Sequence, residues 1–158
     1  VAAVLCFALA GGLVLMLGAV VVFAVNISRL GVQHAQYGLI PGWGSSQRLA
    51  RLIGLRRALD LMYSGKWLTA EEAHAIGLVN TLSEDETLHA DAMAYATQQT
   101  KRSRQGLAEM KRLARTGLDL GNAEAMALEA EAAARHIVGP DTAEGLAAFE
   151  ARRKPNFD

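Results

Sequence analysis

The first 28 residues are apolar runs broken by glycines, and they carry no charged side chain. Strand-length β-branched runs occur at Val1–Val4 and Val20–Val25, and the apolar segment Leu9–Leu17 lies between them. This pattern favours a buried strand, a turn, a buried helix and a second strand. A stretch of about 20 apolar residues can also cross a bilayer, so a transmembrane helix over residues 1–25 is the competing interpretation.

Glycines divide residues 38–80 into a loop followed by helices. The loop, residues 38–44, reads GLIPGWG, in which the proline fixes its own φ and the glycines permit angles that side chains forbid. Ser45 or Ser46 is expected to cap a helix that ends at Gly54. The apolar positions on one face of this helix are Leu49, Leu52 and Ile53.

The capping box Thr69-Ala70-Glu71-Glu72 predicts a later helix that ends at Gly77. Another helix is predicted over Arg56–Tyr63, and residues 78–80 are expected to be extended. After Asn80 the pattern predicts helix throughout, beginning with a second capping box at residues 83–86 and a helix to about Thr100. Three further helices are predicted: one through Leu107 and Leu113 to Gly117, one over Ala123–Val138, and one from Asp141 to Arg153.

Charge and cysteine content exclude several classes of function. The chain has 16 basic and 16 acidic residues, and the acids are interspersed with the bases in the helical half, which argues against nucleic-acid binding. Cys6 is the single cysteine, so an intrachain disulfide and a cysteine-pair metal site are excluded, and a reducing compartment fits. No Walker loop or dinucleotide fingerprint occurs, and the histidines lack metal-ligand spacing.

Three stretches form an ordered series of motifs. Residues 8–13 read ALAGGL, residues 38–80 contain GLIPGWGSSQRL, RLIG and LTAEEAHAIGLVN, and residues 145–157 contain GLAAF and RKPNF. Together they resemble the crotonase superfamily, the enoyl-CoA hydratase/isomerase family. The resemblance implies an α/β fold, with a partial crotonase-like ββα spiral core over residues 1–80 and a helical trimerisation region over residues 81–158. The N-terminal βα portion of the family has no counterpart in the matched residues.

The resemblance also implies a chemistry. Members of this family hold the oxygen of an acyl-CoA thioester with two backbone N–H groups, which stabilise an enolate-like oxyanion. One donor corresponds to Gly11, and the other falls in the portion without a counterpart. Each position has a plainer interpretation as well: a tight turn, loop packing, or a solvated basic tail. The implied substrate-binding residues are Gly11, Gly12, Leu39, Ile40, Pro41, Gly42 and Lys154, the last as a contact to the CoA phosphates.

Two glutamates that position and activate water in the hydratases correspond here to Val14 and His34. Valine cannot transfer a proton, whereas histidine titrates near neutrality. His34 therefore has two interpretations, as a catalytic or substrate-polarising group and as an ordinary half-buried histidine. Val20 and Val32 likewise stand where related sequences commonly carry carboxylates.

The resulting expectation is a family member that binds acyl-CoA thioesters but has little hydratase activity, with Gly11 and His34 as its candidate catalytic residues. No metal or redox cofactor is expected, and the CoA thioester enters as substrate. The expected assembly is a homo-oligomer, a trimer or a dimer of trimers, in the cytoplasm, without nucleic-acid or membrane partners. The alternative is a non-catalytic, truncated homologue or scaffold that assembles with crotonase-type subunits, and a third interpretation is a membrane-anchored helical protein.

Overall fold

The computed structural model describes residues 1–157, which form two compact units, Val1–Tyr95 and the residues from Ala96 onward. The first unit is mixed α/β, which confirms the expected fold class. Its elements are β1 (Ala2–Val4), β2 (Phe7–Leu9), α1 (Gly11–Met16), β3 (Val22–Val25), β4 (Arg29–Gly31), a 3₁₀ helix (His34–Tyr37), α2 (Ser45–Ile53), α3 (Leu55–Ser64), β5 (Trp67–Thr69), α4 (Ala70–Ala75), β6 (Thr81–Ser83) and most of α5 (Leu88–Gln99).

The first four strands of the first unit alternate between two three-stranded sheets. One sheet has the order β1-β3-β6 and is parallel throughout. The other has the order β2-β4-β5, with β2 parallel to β4 and β5 antiparallel to it. Parallel strands require crossover connections: α1 follows the pair β1 and β2, and α2 and α3 follow the pair β3 and β4. This repetition gives the ββα spiral.

Strand β3 organises the core because all four of its residues are buried. Side chains alternate between the two faces of a strand. Val22 and Ala24 accordingly join the main apolar cluster, which includes Leu13, Leu30 and Leu49, whereas Phe23 and Val25 join a second cluster with Leu88 and Ala92. Part of the uncharged opening, including all of β3, is thus interior, whereas Leu5, Phe7 and Leu15 of the same stretch are exposed.

The long uncharged segment is divided among strands and the six-residue helix α1. Within residues 1–157, no helix combines the length and apolar character that a membrane crossing requires. The interpretation of residues 1–25 as a single spanning helix is therefore wrong for the structure described.

The capping box at Thr69 is confirmed, since Thr69 Oγ1 accepts from Glu72 N (3.1 Å) and Thr69 N donates to Glu72 Oε2 (2.8 Å). The serine cap of α2 is wrong: the capping position is Gly44, with φ 78°, and no side chain caps this end. The continuous helix after Asn80 is also wrong, because residues 81–83 form β6 and α5 begins only at Leu88. Pairing with β3 outweighs the local capping signal there.

The second unit is helical. Its remaining elements are α6 (Arg104–Gly117), α7 (Asn122–Ile137) and α8 (Pro140–Glu150). These bounds lie close to the predicted ones because caps and helix breakers are local signals. Ser103 Oγ accepts from Gly106 N (2.7 Å) at the start of α6, and Pro140 occupies the first turn of α8.

Candidate functional site

Parallel pairing of β2 with β4 brings two predicted site residues to one edge of a sheet. Leu9 is paired with Gly31 at the carboxyl ends of these strands, and Ala10 N donates to Gly31 O (3.1 Å). Gly11 follows β2 by two residues and His34 follows β4 by three. Carboxyl ends of neighbouring parallel strands are a usual place for ligand sites in α/β folds.

Gly11 is the first residue of α1 and is exposed. Backbone N–H groups in the first turn of a helix have no intrahelical acceptor and are available to a ligand. A Cβ built on Gly11 would meet nothing within 4 Å, so this backbone faces open space. Gly12 is also exposed, and a Cβ there would contact only Phe7 O, at 3.9 Å. With six residues, α1 has a weak macrodipole, so the local N–H groups matter more than the dipole.

Ala10 has a strained backbone, with φ 46° and ψ −112°. Positive φ is uncommon for a residue with a Cβ, and such strain typically costs 1–3 kcal/mol, to order of magnitude. The ψ of Ala10 sets the direction of the following peptide, whose N–H belongs to Gly11. Strain at this position therefore fixes the candidate oxyanion donor, a feature that no residue pattern signals.

Val14 leaves one of the two expected acid/base positions without a titratable group. It is 6% exposed on α1, and it lies outside the main apolar cluster to which Leu13 and Met16 belong. An apolar side chain at this position can shield bound substrate from water, but it cannot hold or activate a water molecule.

His34 is half-buried at the start of the 3₁₀ helix. Nδ1 is buried and has no hydrogen-bond partner among the described residues. Its main-chain carbonyl accepts from Leu39 N (3.0 Å), which ties the 3₁₀ helix to the following loop.

Two glutamines fix the segment that carries His34. Gln33 Nε2 and Gln36 Nε2 both donate to the carbonyl of Gly65, at 2.6 and 3.1 Å. Gln33 is 9% exposed, and Gly65 lies at the turn between α3 and β5 with φ 59°. The glutamines therefore anchor both ends of the turn around His34. Their spacing of three residues around a histidine was the sequence signal that could have indicated this role.

The GLIPGWG loop directly follows the 3₁₀ helix and exposes its apolar side chains. Leu39 is 60% exposed, Ile40 87% and Trp43 82%. Pro41 is half-buried, and Gly42 is exposed with its carbonyl accepting from Ser45 N (2.9 Å). The side chains are therefore not buried against the first unit, and they form an apolar surface next to His34 in the chain.

Lys154 belongs to the second unit and is exposed. The tail before it is fixed by Glu144, whose carboxylate accepts from Arg153 Nη1 (2.6 Å), Arg153 Nη2 (2.8 Å) and Asn156 N (2.7 Å). The hydrogen bonds from Arg153, followed by that from Asn156, lower the pKa of Glu144 from its ordinary value of 4.5 to about 2. Lys154 thus extends from an ordered turn.

A cleft between α6 and α7 is lined by charged side chains that are already paired. Arg112 contacts Glu109 (2.5 Å) and Arg135 contacts Glu131, each within its own helix. The hydrogen bond from Arg112 lowers the pKa of Glu109. Across residues 1–157, no group of three His, Cys, Asp or Glu side chains is arranged to hold a metal ion.

Comparison with known proteins places this geometry in a family. The family model for enoyl-CoA hydratase/isomerase matches residues 1–158. A probable enoyl-CoA hydratase, echA8, of Mycobacterium leprae is 33% identical over 157 residues, which are 99% of this chain and 61% of that protein. The crotonyl-CoA hydratase of Syntrophomonas wolfei is also 33% identical over 157 residues, 99% of this chain and 60% of its own.

A solved structure shares the fold. Superposition on an enoyl-CoA hydratase structure from Geobacillus kaustophilus gives a TM-score of 0.92 at 31% identity, covering 98% of this chain and 60% of that one. The chain thus spans about three fifths of the length of the relatives that it matches. On the family match and these similarities, the chain belongs to the enoyl-CoA hydratase/isomerase family of the crotonase superfamily.

Proposed function

We propose that this chain binds acyl-CoA thioesters and that the backbone N–H of Gly11 stabilises the oxyanion of an enolate-like thioester. The observation that carries the proposal is the shared edge of β2 and β4, where the strained Ala10 precedes an exposed Gly11 whose N–H lies in the first turn of α1. Pre-oriented donors of this kind stabilise charge that develops during reaction, because they need no reorganisation.

Leu39, Ile40, Pro41 and Gly42 are proposed to contact the acyl chain. Lys154 is proposed to contact the phosphates of a CoA bound to an adjacent subunit. Support for the loop comes from its exposed apolar side chains and its direct connection to the segment of His34. Covering exposed apolar groups with a ligand stabilises the complex by about 25 cal/mol per Å² of apolar area buried. Family membership supports the CoA thioester as substrate, with no further cofactor proposed.

Hydration is proposed to be slow, because it requires two groups that position and deprotonate water. Val14 cannot do either, and His34 offers one titratable ring. Positioned acid/base groups typically contribute about 10²–10⁴-fold to rate, so the absence of both carboxylates should be visible in a simple assay.

Crotonyl-CoA hydration, measured for the wild-type protein and a Val14→Glu, His34→Glu double variant, tests this proposal. The wild type should be close to the uncatalysed rate, and the double variant at least about 10²-fold faster. Val20→Glu is the matched control, because Val20 follows the same helix and is 58% exposed. Circular dichroism checks that the carboxyl group introduced at the buried position of Val14 leaves the fold intact. Rapid hydration by the wild type would contradict the proposed impairment.

A second candidate function is a non-catalytic scaffold that associates with itself or with related subunits. The exposed apolar residues of the second unit favour it, among them Val138 (83%), Leu146 (60%) and Phe149 (82%). Butyryl-CoA binding without any gain of hydration in the double variant would favour this scaffold. We also propose that the protein forms a homo-oligomer, with the site in residues 1–80 and the oligomer contacts in residues 81–158. The cytoplasmic location stays a prediction.

A further inference from the structure

The ring of His34 has one nitrogen that no described neighbour satisfies. Nδ1 is buried and unpaired among the described residues, although the side chain as a whole is only half-buried. In a neutral imidazole, one nitrogen carries the proton and the other is an acceptor. Normally, the hydrogen bond made by one ring nitrogen selects the tautomer. Here the tautomer is selected by the cost of burying a proton on Nδ1 without an acceptor.

A buried N–H without an acceptor keeps the full desolvation penalty of a strong donor, about 1–3 kcal/mol. Orphaned buried N–H groups are accordingly rarer in proteins than under-satisfied acceptors. Placing the proton on Nε2 removes the orphaned donor and leaves only a lone pair at Nδ1. The free side chain in water already prefers this tautomer, so burial of Nδ1 acts in the same direction.

The surrounding segment keeps this arrangement. Gln33 and Gln36 could each offer a side-chain oxygen to Nδ1, but both amides are held at the Gly65 carbonyl. The main-chain carbonyl of His34 is engaged by Leu39 N. The ring therefore stays on a fixed turn in which the described residues provide no acceptor for Nδ1.

We infer that the neutral ring of His34 is the Nε2–H tautomer and serves as a hydrogen-bond donor to the thioester oxygen, not as a base. The identity of the ligand rests on the proposed function, whereas the tautomer does not. His34 and Gly11 follow the paired strands β4 and β2 at the same sheet edge. The His34 side chain would therefore provide a second hydrogen bond to the thioester oxygen, beside that from the Gly11 N–H. A ring that donates through Nε2 has no lone pair there with which to remove a proton from substrate or water.

The tautomer can be read directly from long-range ¹H–¹⁵N correlation spectra of protein labelled in the imidazole nitrogens, at a pH where the rings are neutral. The chain has four histidines, and His34→Asn assigns the signal. His74 is an internal control of the opposite kind, since its Nδ1 lies 3.1 Å from Val79 O and must donate to it. We expect Nε2–H for His34 and Nδ1–H for His74. A proton on Nδ1 of His34 would overturn the inference.

The donor role is tested by butyryl-CoA binding, measured by calorimetry on two variants. Glutamine can place an amide N–H near the position of Nε2, whereas asparagine reaches only that of Nδ1. His34→Gln should bind within about threefold of wild type and His34→Asn about tenfold more weakly, as expected for loss of one hydrogen bond. Equal weakening by both variants, or no binding by the wild type, would contradict the donor role. Only the second result would also contradict the proposed function.

Discussion

The two units of this chain bury their apolar residues to very different extents. The first unit has a continuous apolar cluster in which Leu30, Val32 and Leu49 are fully buried. In the described part of the second unit, Ala132 and Ala148 are the only buried apolar residues, and large apolar side chains such as Phe149 are exposed. The first unit is stabilised by its own interior, whereas the second presents an apolar surface. The candidate site depends on the buried interior of the first unit, and the proposed assembly depends on the apolar surface of the second unit.

The sharpest contrast is expected from leucine truncation in each unit. Leu30→Ala, at a fully buried position in the central strand β4, should lower the free energy of unfolding by about 2–5 kcal/mol through lost burial and a cavity. Leu146→Ala, at a position 60% exposed, should change it by about 0.5 kcal/mol or less. Chemical denaturation of dilute protein measures both, and comparable losses would remove the distinction between the units.

Association should depend on the exposed face of α8. Leu146 and Phe149 lie three residues apart and therefore on the same face of that helix. Phe149→Asp places a charge among these apolar groups and should shift the oligomer to monomer in analytical ultracentrifugation, because an unpaired charge is costly to bury in an interface. Glu150→Gln, on the same exposed turn, is the control and should leave the mass unchanged. An unchanged oligomer in Phe149→Asp would exclude this face.

Two glycines of the first unit separate stability from binding. In Gly11→Ala, the added Cβ meets nothing within 4 Å. The substitution should leave stability unchanged or raise it slightly, since alanine favours helix over glycine by up to about 1 kcal/mol. The added methyl occupies the space proposed for the thioester, so butyryl-CoA affinity should fall about tenfold or more. Gly31→Ala is the opposite case, because its Cβ would lie 3.0 Å from Lys66 O and should destabilise the fold. Unchanged affinity in Gly11→Ala would argue against this donor.

The smallest effect concerns the carboxyl-terminal turn of the second unit. The lowered pKa of Glu144 means that its interaction with Arg153 stabilises the folded form above pH 4.5 and is lost as the pH falls toward about 2. The protection factor of Asn156 N, which corrects for the intrinsic slowing of amide exchange in acid, should therefore fall over this range in the wild type. In Glu144→Gln, exchange should already be fast at neutral pH and should lack this acid transition. The same transition in both proteins would show that another group fixes the turn.

Local signals predicted most helices and the β-branched strands β1 and β3, but not the other strands, for a physical reason. The capping box at Thr69 and the helix breaker Gly139-Pro140 act within a few residues, and the structure has helix ends at both. The strands β2, β4 and β6 have three residues each, too short for a period to be read, and they exist through pairing with distant strands. Ser83 illustrates the competition, since it forms part of β6 and not a helix cap.

The candidate site was predictable as far as the motifs extend. Gly11 and His34 could be chosen by resemblance, and parallel pairing then explains how they reach one edge. The strain at Ala10 and the unpaired Nδ1 of His34 arise only in the folded chain, and no residue pattern indicates them, whereas the spacing of Gln33 and Gln36 was a signal for the double hydrogen bond to Gly65.

The central claim is that Gly11 donates a hydrogen bond to a thioester oxygen, and the carbonyl itself reports on it. The infrared stretch of a ¹³C-labelled butyryl-CoA carbonyl, recorded bound to wild type and to Gly11→Ala, measures this polarisation most directly. The account predicts a lower frequency on the wild-type protein than in water, with part of the shift lost in Gly11→Ala, because the added methyl group displaces the carbonyl from the N–H that this variant retains. A bound carbonyl that absorbs at its frequency in water would contradict it.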